Sequence, residues 1–204
     1  MDERSERDRI IEAGHLGRAQ TARSGLGHPS PIVRAAALGA VSRIGILDLD
    51  DLLHGLADPH LIVRQRAITE AATFADPTRV TPDGRDLLTA LATLIDDDAT
   101  AEAAVWALGE RPDADTPVVE RLMAVATTHA DPLVREAGVA ALGSIGDPRS
   151  LSAVLAASRD KATVRRRAII ALAAFEGEEV ESRLREALDD RDWQVSQAAE
   201  DLLS

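Results

Sequence analysis

Residues 131–147 read DPLVREAGVAALGSIGD, and this stretch decides the fold. Its Asp-Pro start is typical of a helix N-terminus, where a carboxylate accepts from backbone N–H groups and a missing N–H costs little. Val134, Gly138 and Leu142 follow at intervals of four and therefore share one face of a helix. Gly146 comes directly after the last apolar residue and is a typical helix terminator. The stretch predicts a helix whose small central residue lets a neighbouring helix approach closely.

The same pattern returns six times along the chain. Its first positions, taken as position 0, are Val33, Val63, Thr100, Val134, Val164 and Val195. Position +4 is always small: Ala37, Ala67, Ala104, Gly138, Ala168 and Ala199. Position +8 is always apolar, so three positions of every copy lie on one helical face.

A second set of amphipathic stretches lies between these segments. The sequence therefore predicts twelve helices in six antiparallel pairs, with an A helix followed by a B helix. The predicted repeats span approximately 9–45, 46–75, 86–110, 115–146, 149–176 and 178–204 of a single domain, 1–204. One pair cannot bury its apolar face alone, so stacking of neighbours must stabilise the fold. The loop 75–85 makes the longest step between copies and is expected to be a tolerated insertion or a binding rim.

The stretch at 131–147 resembles a HEAT repeat, and more narrowly the short bacterial type also found in phycobilisome-lyase-like proteins. The resemblance extends over roughly residues 9–204. It implies an all-α, armadillo-like fold, a right-handed α-solenoid whose B helices line the concave side. The usual role of that family is to hold another protein.

Composition narrows the possible functions. The chain has 35 Asp and Glu against 23 Lys and Arg, a net charge of −12, and no cysteine. Cysteine-ligated metals and thiol nucleophiles are thereby excluded, and the acidity argues against nucleic acid as a partner. No apolar run approaches the length of a membrane span. We expect an acidic, soluble, cytoplasmic protein that is monomeric and binds no membrane.

Arginine recurs at position +1 of four copies: Arg34, Arg64, Arg135 and Arg165. The family resemblance implies that these arginines bond turn aspartates of their own or the next repeat as a structural ladder. The candidate acceptors are Asp58, Asp131 and Asp160. Ala101 and Ser196 replace the arginine in the third and sixth copies, so the ladder should be interrupted there.

The B helices also carry the candidates for partner binding. Trp106 lies at +6, about 200° around the helix from the packed position +4, and should present an exposed ring on the concave side. The alternative is a ring folded back to fill a gap. The full set of expected partner-binding residues is Trp106, Ile170, Arg166, Arg167, Arg66, Glu102, Glu136 and Thr69. Trp193, at the start of the last helix, is expected to cover the end of the core.

The charge is unequal between the two sets of helices. The predicted B helices sum to +3, which leaves −15 for the A helices and loops. The concave side is therefore neutral to locally basic and suits an acidic segment of a protein or peptide.

These features predict a non-enzymatic scaffold or adaptor that uses no cofactor, no metal and no catalytic residue. A bilin-lyase-like or chaperone-like activity on a bound protein is an alternative that the family likeness implies. A HEAT-like DNA glycosylase is a further one, which the acidity disfavours. The absence of His-Glu steps counts against the di-iron deoxyhypusine hydroxylases, which are built on the same repeat.

Overall fold

The computed structural model describes residues 2–75 and 80–204, and within these ranges the regular structure is helical apart from one isolated bridge between Val80 and Asp86. Residues 76–79 of the predicted insertion lie outside the described residues. The helices are α1 (Glu3–His15), α2 (Ala19–Ser24), α3 (Pro31–Ile44), α4 (Leu49–Leu56), α5 (Leu61–Ala72), α6 (Leu87–Thr93), α7 (Ala101–Gly109), α8 (Thr116–Thr128), α9 (Pro132–Ile145), α10 (Leu151–Ala157), α11 (Ala162–Ala171), α12 (Glu178–Ala187) and α13 (Trp193–Leu203). Short 3₁₀ turns at Leu94–Asp96, Pro148–Ser150 and Leu172–Ala174 adjoin α6, α10 and α11.

The predicted B helices correspond to α3, α5, α7, α9, α11 and α13. The sequence predicts one continuous first A helix over roughly residues 9–25, and this prediction is wrong because two helices cover the region. Asp2 accepts a hydrogen bond from the Ser5 N–H at 2.7 Å and starts α1 at Glu3. Gly17, with a φ of +67°, then separates α1 from α2, a conformation that glycine adopts at little cost. The described residues consequently form thirteen α-helices and not twelve.

Three positions of each B helix form the core. Positions 0 and +4 are buried in all six copies, and Val33, Ala67 and Ala168 are among those with exposure of 2% or less. Position +8 is buried in five copies, whereas Leu203 in the last is 41% exposed. The spacing of four thus identifies the packed face correctly in nearly every repeat.

The chain divides into two compact units, Met1–Ala107 and Leu108–Ser204. In the first unit α3 packs against α1 and α5, and α4 packs against α5. In the second unit α9 packs against α8 and α11, and α11 also packs against α13. Each unit therefore stacks consecutive helix pairs.

Two glycines of the second unit allow very close helix packing. A Cβ added at Gly143 would lie 2.7 Å from the Ala171 Cβ, and one at Gly109 would lie 2.6 Å from the Ala141 Cβ. Both glycines lie within helices, Gly143 in α9 and Gly109 in α7. The expectation from the sequence that a glycine ends the helix concerns the glycine that follows its last apolar residue. It is correct at Gly146, whose φ of +66° ends α9.

Candidate partner-binding surface

Arg34 shows how one arginine joins two consecutive repeats. Its Nε and Nη2 donate to the two carboxylate oxygens of Asp58 at 2.7 and 2.9 Å. Its Nη1 donates to the carbonyls of His28 and Pro29 at 2.8 and 3.0 Å. Asp58 belongs to the turn of the next repeat, and it also accepts from the His60 N–H at the start of α5. The guanidinium thereby satisfies carbonyls of its own turn while it holds the following turn in place.

The second unit repeats this geometry. Arg135 binds both oxygens of Asp160 at 2.6 and 2.9 Å, and its Nη1 donates to the His129 carbonyl at 2.7 Å. Arg165 binds both oxygens of Asp190 at 3.0 and 2.8 Å and donates to the Asp160 carbonyl at 2.9 Å. Sequence reasoning missed Asp190 as an acceptor, although it follows Arg165 by 25 residues, the same step that separates Arg135 from Asp160.

Two parts of the ladder depart from this pattern. Arg64 makes one hydrogen bond, of 3.0 Å, to Asp97, whose side chain is 43% exposed. Asp131 was expected to accept from a ladder arginine, but it accepts from the Leu133 N–H at 2.9 Å and caps α9. The physical reason is that Ala101, at position +1 of the third copy, has no guanidinium.

The ladder also changes the acidity of its members. Hydrogen bonds from Arg34, Arg135 and Arg165 hold the pKa of their partner carboxyls below the ordinary value. The same bonds raise the pKa of the three guanidinium groups. These carboxylates are therefore stabilised in the charged form.

The B helices pack through positions 0, +4 and +8, and four of them carry a ladder arginine at +1. The side formed by positions +2, +3 and +6 is here called the B-helix face. In the first unit it carries Trp106, which is 44% exposed, together with exposed Glu102 and Thr69. The exposure predicted for the tryptophan is thus confirmed. Arg66 also lies on this face, with its Nε 2.9 Å from a carboxylate oxygen of Glu70 on the same helix.

In the second unit the B-helix face carries Ile170, which is 39% exposed, and the exposed Arg166. Arg167 is half-exposed, and its Nη2 lies 3.6 Å from Glu136 of the preceding repeat. A cavity of about 380 Å³ opens on this face between α9 and α11. Its lining includes Ala140, Gly143, Ser144, Arg167, Ile170 and Ala174.

Other exposed or buried groups differ from expectation. Trp193 is 71% exposed, so the prediction that it covers the end of the core is wrong. Its position at the first turn of α13 leaves the ring in solvent. Sequence reasoning also missed Arg183, which is buried and donates to the Oγ and the carbonyl of Ser158 at 2.7 and 2.6 Å.

Two kinds of feature are absent from the described residues. Within residues 2–75 and 80–204, no three His, Asp or Glu side chains gather in a way that could hold a metal ion. Over the same ranges, no helix combines the length and the apolar character that crossing a membrane requires.

Comparison with solved structures defines the class of protein as an α-solenoid of the HEAT and armadillo type. YibA from E. coli is 15% identical with a TM-score of 0.66, over 100% of this chain and 74% of that one. A designed armadillo repeat protein is 18% identical with a TM-score of 0.59, over 91% and 98%. Human deoxyhypusine hydroxylase, solved with glycerol, is 19% identical with a TM-score of 0.50, over 97% and 77%. At these identities the likeness shows the fold alone.

Family models identify the family to which the chain belongs. Residues 85–163 match the HEAT repeats, and residues 164–190 match the PBS lyase HEAT-like repeat. The chain therefore belongs to the HEAT-repeat proteins of the PBS-lyase-like type, as the resemblance at 131–147 predicts. No curated protein sequence matches the chain.

Proposed function

We propose that this protein is a non-catalytic scaffold or adaptor that binds another protein or a peptide on its B-helix faces. The observation that carries the proposal is Trp106, a large aromatic side chain that is 44% exposed in the middle of a B helix. Tryptophan is over-represented among the residues that dominate binding energy at interfaces. The flanking residues Val105 and Ala107 are completely buried, so Trp106 is the residue of this turn that reaches the solvent.

The contrast between the two polar systems of the molecule supports the proposal. The arginines of the ladder bind acceptors of the chain itself, so their polar groups are already used. Arg166 is exposed, and Arg167 has its Nη2 3.6 Å from a carboxylate oxygen of Glu136. Charges with weak internal partners next to exposed apolar side chains are typical of an interaction surface.

The test compares two exposed tryptophans. Wild type, Trp106→Ala and Trp193→Ala are immobilised at equal density and used to capture partners from native lysate. We expect Trp106→Ala to retain less of the captured protein, and Trp193→Ala to serve as the matched control with capture unchanged. The circular-dichroism melts of all three should nearly coincide.

Two results would overturn the proposal. Equal capture by wild type and Trp106→Ala would show that the ring binds nothing. A large fall in melting temperature for Trp106→Ala would assign the ring to the core.

A further inference from the structure

We infer that the cavity between α9 and α11 receives an aliphatic side chain of an acidic peptide, whose flanking carboxylates pair with Arg166 and Arg167. This inference rests on the proposed function, because it names the chemistry of the partner for one part of the B-helix face. It concerns the second unit alone.

The cavity exists because equivalent positions are filled differently in the two units. Arg66 and Arg167 both occupy position +3 of a B helix. In the first unit Arg66 of α5 faces Gly39, which is the +6 residue of the preceding B helix, α3. The Arg66 guanidinium lies so close over Gly39 that a Cβ added there would collide with it. In the second unit the facing residue is Ala140, whose methyl group occupies that space. The Arg167 guanidinium instead lies toward Glu136, and the cavity lies beside it.

The floor and one wall of the cavity are apolar. Ala140, Ala171 and Ala174 line it together with Gly143, and the half-exposed Ile170 stands at its side. Its volume of about 380 Å³ is many times the ~30 Å³ share of one water molecule in the liquid. Such a space favours an aliphatic side chain, because filling it removes apolar surface from water and lowers the free energy of the bound state.

The charge beside the cavity selects an acidic partner. Arg166 has no carboxylate within ion-pair distance among the described residues, and Arg167 has Glu136 only at 3.6 Å. A carboxylate of a bound peptide would gain charge-assisted hydrogen bonds from guanidinium groups that lack a close partner. A basic peptide would be repelled.

The experiment titrates three short synthetic peptides into the full chain labelled at isoleucine methyl groups. One peptide has a leucine flanked by glutamates, the second replaces the leucine by glycine, and the third replaces the glutamates by lysines. We expect the first to move the Ile170 methyl signal in a saturable way and to leave buried Ile68 unchanged. The second peptide lacks the buried aliphatic group and the third lacks the charged hydrogen bonds. Each should bind at least about tenfold more weakly than the first, because either interaction changes a dissociation constant by about that factor.

Matched variants locate the effect. Arg167→Glu and Ile170→Ser should each weaken the acidic leucine peptide about tenfold. Arg185→Glu makes the same charge change at an exposed position of α12, outside the B-helix face, and should leave that affinity unchanged. Circular-dichroism melts verify that each variant is folded.

Several results would overturn the inference. Among them are an Ile170 signal that no peptide moves, a lysine peptide that binds as well, and an affinity loss in Arg185→Glu equal to that in Arg167→Glu. A concentration-dependent dimer that Arg167→Glu dissociates would instead show that a second copy covers the cavity. If Trp106→Ala abolishes partner capture while Arg167→Glu does not, the proposed function stands and only this inference fails.

Discussion

The turns that the arginine ladder joins are here called the turn edge. The turn edge and the B-helix face both use side chains of the B helices, but their polar groups are used in opposite ways. At the turn edge, Arg135 binds both oxygens of a carboxylate and a carbonyl of its own turn. On the B-helix face, Arg167 lies 3.6 Å from one carboxylate and is 43% exposed. The arginines at +1 in the two units bind acceptors of the chain itself, whereas Arg166 and Arg167 have no carboxylate of the described residues closer than 3.6 Å. Under the proposed function, this contrast would separate the residues that stabilise the repeats from those that bind a partner.

Acid should break the turn edge most completely, because it acts on every Arg–Asp pair at once. The pKa values of Asp58, Asp160 and Asp190 are lowered in the folded state by their arginine partners. A lowered folded-state pKa means that the stabilisation is complete above the unfolded value near 3.9 and is lost as pH falls toward the folded one. We expect the free energy of unfolding to be flat from pH 7 to about 5 and to fall steeply below about 4.

Urea unfolding followed by circular dichroism at a series of pH values measures this dependence. Arg135→Met supplies the control: without its guanidinium Asp160 loses the largest cause of its lowered pKa, so the variant should lose less stability on acidification than wild type. A fall of equal size in both proteins would contradict the assignment of the acid sensitivity to the ladder.

A single substitution at Arg165 should have the next largest effect. Its side chain is 8% exposed, and Arg165→Met leaves Asp190, 12% exposed, without its partner. Removing one member of a buried pair costs up to 3–5 kcal/mol, and partial solvent access reduces this to about 2–3 kcal/mol. Urea denaturation gives the value directly. Arg185→Met, which breaks an exposed pair with Glu181, should leave stability nearly unchanged.

Comparing the two units gives a finer test of the turn edge. Arg135→Met removes a two-bond pair and should cost about 2 kcal/mol, whereas Arg64→Met removes a single bond to a half-exposed Asp97 and should cost about 1 kcal/mol. The difference between the two midpoints in one urea series is the quantity to measure. Equal losses of unfolding free energy in the two variants would show that the number of hydrogen bonds in an Arg–Asp pair does not determine how much the pair stabilises the fold.

The packed face can be predicted from local, repeated spacing, whereas the ladder is predicted from the recurrence of arginine at +1 together with the family resemblance. Position +4 identifies Gly138, and position +1 identifies Arg135, without knowledge of any neighbour. The acceptor Asp131 could not be predicted correctly by analogy alone, because its role depends on which residue stands at +1 of the preceding repeat. That residue is Ala101, which has no donor to offer.

The features that escaped sequence reasoning depend on packing between repeats. The sequence places Gly143 inside a B helix but does not show why it is a glycine, whereas in the structure a Cβ added there would lie 2.7 Å from the Ala171 Cβ of the next B helix. The cavity beside Ile170 is likewise invisible in a single repeat, because it needs the alanine at +6 of one helix and the arginine at +3 of the next. Such sites follow from pairs of repeats and not from any one motif.

The B-helix face should show the smallest effect on stability. Trp106→Ala and Ile170→Ala remove side chains that are 44% and 39% exposed, and each should lower the free energy of unfolding by no more than about 1 kcal/mol, since much of the apolar area is already in water. Leu142→Ala, at a completely buried position, should cost about 2–5 kcal/mol in the same urea series. A loss at Trp106 close to that at Leu142 would mean that the ring stabilises the stack, and the division between a turn edge for stability and a face for binding would no longer hold.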